Sequence, residues 1–139
     1  MKKIYYAAHT YMIVGVISGL FYRELTKWYD VTGDTQLGVV HTHLLALGML
    51  FHLIVLALAK VFTLSTSTLF GWFFWVYNAG LALTVVMMTV HGIQTVVGAE
   101  TSAAISGIAG LGHIVLTVGL ILFFIALGKR VSEPQQGAQ

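Results

Sequence analysis

Charged side chains sit at the edges of four long apolar runs, at about 4–22, 38–59, 69–96 and 103–128, and almost nowhere inside them. A helix rising 1.5 Å per residue needs about 20 apolar residues to cross roughly 30 Å of hydrocarbon, so each run predicts a membrane-spanning helix. The first run ends in Tyr22-Arg23-Glu24, not in a small-residue cleavage site, and holds a Gly15-xxx-Gly19 step suited to helix contact. It is therefore read as span 1 and not as a signal peptide. Arg23 to Leu37, with Trp28, Tyr29 and the turn-forming Gly33-Asp34, reads as an interfacial loop. Ser65-Thr66-Ser67-Thr68 and Gly98-Ala99-Glu100-Thr101-Ser102 read as short connections, and Ser132 to Gln139 as a frayed polar tail. Connections this short place each helix antiparallel beside its predecessor. The expected fold is an all-α membrane protein, an up-down bundle or arc of four spans in one domain, residues 1–139.

Composition sharpens this picture. Of 139 residues 58% are hydrophobic and 9% charged, whereas a soluble domain carries about 25% charged residues, so an ordinary soluble enzyme is excluded. With no cysteine, thiolate zinc sites, iron–sulfur clusters and disulfides are excluded as well. The net charge of +2 is too small for a nucleic-acid footprint. Its distribution carries more information. Lys2, Lys3, Lys60, Lys129 and Arg130 lie at one end of the predicted bundle, and only Arg23 and Lys27 at the other. By the positive-inside rule both termini are expected in the cytoplasm.

All six histidines, His9, His41, His43, His52, His91 and His113, fall inside the spans, from which Asp, Glu, Lys and Arg are kept out. Ionisable side chains at membrane depth are costly and by default do a job. A single neutral histidine can hydrogen-bond a neighbouring carbonyl; six, with at least one on every helix, point to a metal or metal cofactor. By axial rise His41, His43 and His91 lie within roughly 10 Å of the outer end, and His113, His9 and His52 about 15–21 Å down. At 100° per residue His41 and His43 leave opposite sides of span 2 and serve two different sites. His52 falls about 20° from His41 in projection and some 16 Å deeper, which extends the same face inward. His9, His52 and His113, from three helices at comparable depth, are candidates for a tris-His copper or zinc site, a second haem site or a buried polar cluster.

Around His41-Thr42-His43 the sequence is apolar, with Ala46 and Gly48 leaving room for a flat macrocycle. No carboxylate lies in a span, and Met12, Met49, Met87 and Met88 read as packing residues, so haem is favoured over a naked ion. Without cysteines the type is haem b. His41 and His43 are the expected iron ligands, His91 a further candidate, and Arg23 and Lys27 stand at the level of the propionates. A His-lined route for copper, zinc or haem is the alternative, and a subunit whose histidines are structural is a third reading. Asn78 and Gln94 read as interhelical hydrogen-bond glue, and Trp72, Phe73, Phe74, Trp75 and Tyr77 as an interfacial belt and packing face.

The His-Thr-His near the outer end of span 2 resembles one four-helix quartet of the haem-copper oxidase catalytic subunit, whose twelve spans form three such arcs. The chain also resembles a small uncharacterised four-span bacterial membrane family. In the oxidases the corresponding His-x-His ligates two haems, which implies haem ligation by His41 and His43, and by its span position His91 falls on the copper-bearing helix. Departures are plain: there is one quartet, no His-Pro-Glu-Val-Tyr segment and no adjacent His pair. Oxygen reduction at a haem-copper centre is therefore not expected. The resemblance implies a homotrimer in which each interface receives His41 from one copy and His43 from the next. It further implies a cytochrome of the bacterial cytoplasmic membrane, carrying electrons or binding nitric oxide or oxygen, with a quinone or another redox partner.

Overall fold

The structure, a computed structural model, describes residues 1–100 and 102–132. Its four long helices are α1 (Lys2–Trp28), α2 (Leu37–Val61), α3 (Thr68–Val96) and α4 (Ala103–Val131), each long and apolar enough to cross a membrane. Among the described residues there is no strand. Thr101 and most of the polar tail expected at Ser132–Gln139 lie outside the described residues.

Helix α1 runs six residues past the predicted span, through Arg23, Glu24 and Lys27. Charges end a hydrophobic run but not a helix, so the stretch read as loop from Arg23 is helical up to Trp28. The stop is a left-handed residue, Asp30 at φ 52°, after which the Val31 amide donates back to the Thr26 carbonyl at 3.0 Å. Gly98, at φ 71°, ends α3 in the same way, and the Ala99 amide reaches the Gln94 carbonyl at 2.8 Å.

Neighbours pack antiparallel, in chain order. Along the α1–α2 seam Gly48 meets Tyr11, Gly15 meets Leu44 and Leu45, Gly19 meets His41, and Gly38 meets Tyr22. Along α3–α4, Gly80 meets Leu116, Gly112 meets Thr84, and Gly119 meets Tyr77. In lipid, helices gain little from hydrophobicity and associate where small residues let backbones approach. Both seams follow that rule. Helix α2 lies between α1 and α3, with Leu37 against Gly92, and α4 is carried by α3. The result is an arc.

The larger core fills the half of the molecule that carries Lys2 and Val131, named the inner half from the orientation expected of the sequence, and is aromatic, with Phe70, Phe73, Tyr77 and Phe123 around Val55 and Ala59. A smaller cluster, Leu37, Val40, Leu44 and Met88, fills the opposite half, that of the α1–α2 connection, named the outer half. At the inner end Lys3 Nζ lies 4.6 Å from the Phe74 ring centroid, and Arg130 donates to Thr66 Oγ1 at 2.6 Å. The expected aromatic belt divides by face: Phe73, Phe74 and Tyr77 are buried, while Trp72 and Trp75 point outward.

Helix α2 is not uniform. It is α-helical over Leu37–His43 and Phe51–Val61 and π-helical over Leu44–Leu50. The Phe51 amide bonds to the Ala46 carbonyl, five residues back. This insertion underwinds the helix, so the 100° step that aligned His52 with His41 in projection does not hold across it.

Candidate functional site: a satisfied inner network and an open outer histidine layer

The π-helical stretch and the inner polar network belong together. Because Phe51 N–H takes the Ala46 carbonyl, the Leu47 carbonyl has lost its α-helical donor, and the Tyr77 hydroxyl supplies one from α3 at 2.9 Å. Two residues beyond the end of the π-helical stretch, His52 is fully buried. Its Nδ1 lies 2.6 Å from the Gly48 carbonyl, which fixes the proton on that nitrogen and leaves Nε2 as an acceptor. Asn78 Nδ2 donates to Nε2 at 3.1 Å and to the Phe74 carbonyl at 2.7 Å. The Tyr11 hydroxyl, from α1, donates to Asn78 Oδ1 at 2.7 Å. Tyr11, Phe74 and Tyr77 also flank the imidazole with ring centroids 5.4–6.2 Å away. Three helices are joined through one asparagine. Every polar atom of that asparagine and both nitrogens of His52 are engaged, so the network is a positioning device and His52 has no lone pair to offer a metal in this arrangement.

The outer half is different. The rise along α2 and α3 puts His41, His43 and His91 about 6, 9 and 8 Å in from the outer helix ends, in one layer. His41 is turned toward α1, its Cβ 3.6 Å from where a methyl on Gly19 would sit. His43 leaves the other side of α2 and lines a shallow groove with Thr42, Ala46 and Leu47. Its Nδ1 is 2.9 Å from the Val39 carbonyl, and Thr42 Oγ1 donates to the same oxygen at 2.7 Å. One carbonyl therefore absorbs both polar groups and leaves the groove apolar, with His43 Nε2 free among the described residues. By contrast, Nδ1 of His41 and Nδ1 of His91 are buried without a hydrogen-bond partner among the described residues, as are Thr35 Oγ1, Thr84 Oγ1 and Gln94 Oε1. Thr84, His91 and Gln94 recur at helical spacing along one face of α3. Gln94, expected as interhelical glue, has an oxygen that nothing glues; Asn78 does serve that role.

The remaining histidines do not join His52. His9 is exposed on α1, in a groove with Tyr5, Ala8, Met12, Met49 and Leu53. His113 is exposed on α4, its Nδ1 tied to the Ala109 carbonyl at 3.0 Å. Among the described residues no three His, Asp or Glu side chains converge to hold a metal, so the tris-His arrangement of His9, His52 and His113 is not formed within the chain. Equal depth was a poor guide here because it ignores azimuth. Arg23 stands at the outer end of α1, largely exposed, with Nε 3.7 Å from Glu24 Oε1.

The sequence reading missed Tyr11 altogether and gave Tyr77 a place in a belt and packing face without a role for its hydroxyl. A tyrosine hydroxyl in the middle of an apolar run needs a partner, and that was the available signal.

Residues 1–130 match the family described as "Protein of unknown function (DUF2871)", and the chain belongs to it. The match is with an uncharacterised family, as expected, and does not extend to the haem-copper oxidases. No curated protein and no solved structure matches the chain.

Proposed function

We propose that this member of the family is a membrane haem b-binding protein, an electron carrier or a binder of a small gas, with His43 as an iron ligand. One observation carries the reading: an imidazole held by its Nδ1 on a backbone carbonyl, with Nε2 free over a largely apolar groove that Thr42, Ala46 and Leu47 share with it. That is the donor arrangement haem iron takes, because the second-shell bond fixes the tautomer and aims the ring. The residues fit the group. Bound haem b would supply one-electron exchange at its iron, and the chain's part is to orient the ring and keep water away.

A second axial imidazole has to come from outside the groove, since no other histidine lines it. In our reading it is Nε2 of His41 of another copy, a half-buried residue whose Cβ packs by Gly19 and whose Nδ1 is buried, in a closed ring of three chains. Arg23, at the outer end of α1, would pair a propionate. Both termini are placed in the cytoplasm on the five-against-two distribution of cations.

Native mass spectrometry of the detergent-solubilised chain tests the assembly. Three chains with three haems are expected. A haem-loaded monomer would remove the shared ligation and leave His43 with a ligand from its own chain.

A further inference from the structure

The seam between α1 and α2 brings three side chains of metal-binding type to one groove. His9 and Met12 stand at i and i+3 on α1, one turn apart on one face, and Met49 comes from the π-helical stretch of α2. All three line a groove of about 190 Å³, bordered also by Tyr5, Ala8 and Leu53. His9 makes no hydrogen bond among the described residues, so both of its nitrogens are available. Its ring lies nearly parallel to that of Tyr5, at 18°, with centroids 6.1 Å apart.

The sequence assigned Met12 and Met49 to packing. In the structure Met12 is 37% exposed and its side chain borders the groove in place of filling the core.

The geometry points to a monovalent soft-metal site here: one copper(I) ion bound by the His9 imidazole and the Met12 and Met49 thioethers. Thioethers select copper(I) from among the common ions, whereas magnesium, calcium and manganese need carboxylate, carbonyl or water oxygens. No Asp or Glu borders the groove. Charge supports the same choice. Three neutral donors leave the bound ion its single positive charge, and a monocation at membrane depth is penalised less than a dication. The position suits it too, since the groove opens on the flank of the bundle and an ion can enter without unfolding the inner core. Nothing in this assignment depends on haem.

The test is an anaerobic titration of the purified full-length chain, in detergent, with copper(I) against a chromophoric chelator. One equivalent is expected to be retained, with sulfur scatterers in the X-ray absorption spectrum. Met12→Leu and Met49→Leu keep volume and apolarity, so they should fold as the parent does, as circular dichroism would verify. Each should weaken retention by roughly tenfold or more, since loss of even a second-shell partner costs that much. His9→Ala should do the same, and His113→Ala should change nothing. Absence of retained copper(I), or retention undiminished in the Met12→Leu/Met49→Leu double variant, overturns the assignment.

Discussion

Tyr77 on α3 donates its hydroxyl to the Leu47 carbonyl of α2 at 2.9 Å, and that carbonyl is free because the Phe51 amide has slipped one residue to Ala46. The irregularity in one helix and the hydroxyl on its neighbour are thus one feature. Tyr77→Phe keeps the ring and its packing and removes the donor, leaving a buried carbonyl unpaired. A loss of about 1–3 kcal/mol is expected. Unfolding in mixed micelles measures it, and an unchanged midpoint would mean that the π-helical stretch stands without Tyr77.

Asn78 and His52 should be energetically coupled. With Asn78→Leu, His52→Leu and the double variant, a cycle of unfolding free energies is expected to give a coupling of about 0.6 kcal/mol and no more than about 1.7 kcal/mol, the range of interhelical hydrogen bonds in membranes. Strict additivity would show that the 3.1 Å contact holds nothing together.

Two glycines on α4 should respond differently to alanine. A methyl on Gly112 would lie 2.7 Å from Thr84 Oγ1 and 2.9 Å from the Thr84 amide nitrogen, so Gly112→Ala wedges α3 and α4 apart. A cost of about 1–3 kcal/mol is expected. At Gly110 a methyl meets nothing within 4 Å, and Gly110→Ala should be neutral or stabilise by about 0.5–1 kcal/mol through helix propensity. Thermal denaturation of both variants checks the pair. A destabilised Gly110→Ala would instead reveal that another chain packs against that face.

The absence of native cysteine makes topology easy to read. A single cysteine at Thr32, in the exposed α1–α2 connection, should react with an impermeant maleimide in intact cells. One at Ser65, in the exposed α2–α3 connection, should react only after permeabilisation. The reverse pattern would place the termini outside and contradict the orientation drawn from the cations.

What could be read from the chain, and what could not, divides along a physical line. Hydrophobic length sets the number of spans, and short connections set the antiparallel order; α2, α3 and the start of α4 lie within two residues of where the apolar runs put them. The end of α1 was missed because Arg23, Glu24 and Lys27 suit a helix that emerges into water. The opposite departures of His41 and His43 followed from the helical period, since both precede the π-helical stretch. His52 comes after it, and no local signal in Leu44–Leu50 announces the slip. His9 and His113 were grouped with His52 by depth alone. Their outward placement is decided by which faces Gly48 and Gly112 press against their neighbours, a tertiary choice that hydropathy does not record.

The most direct test of the central claim is the absorption spectrum of the purified chain, taken from cells supplied with haem, beside those of two histidine variants. A Soret band with sharp α bands on reduction is predicted, lost or converted in His43→Ala and retained in His52→Ala. A colourless protein, or a haem spectrum indifferent to His43, would contradict the account.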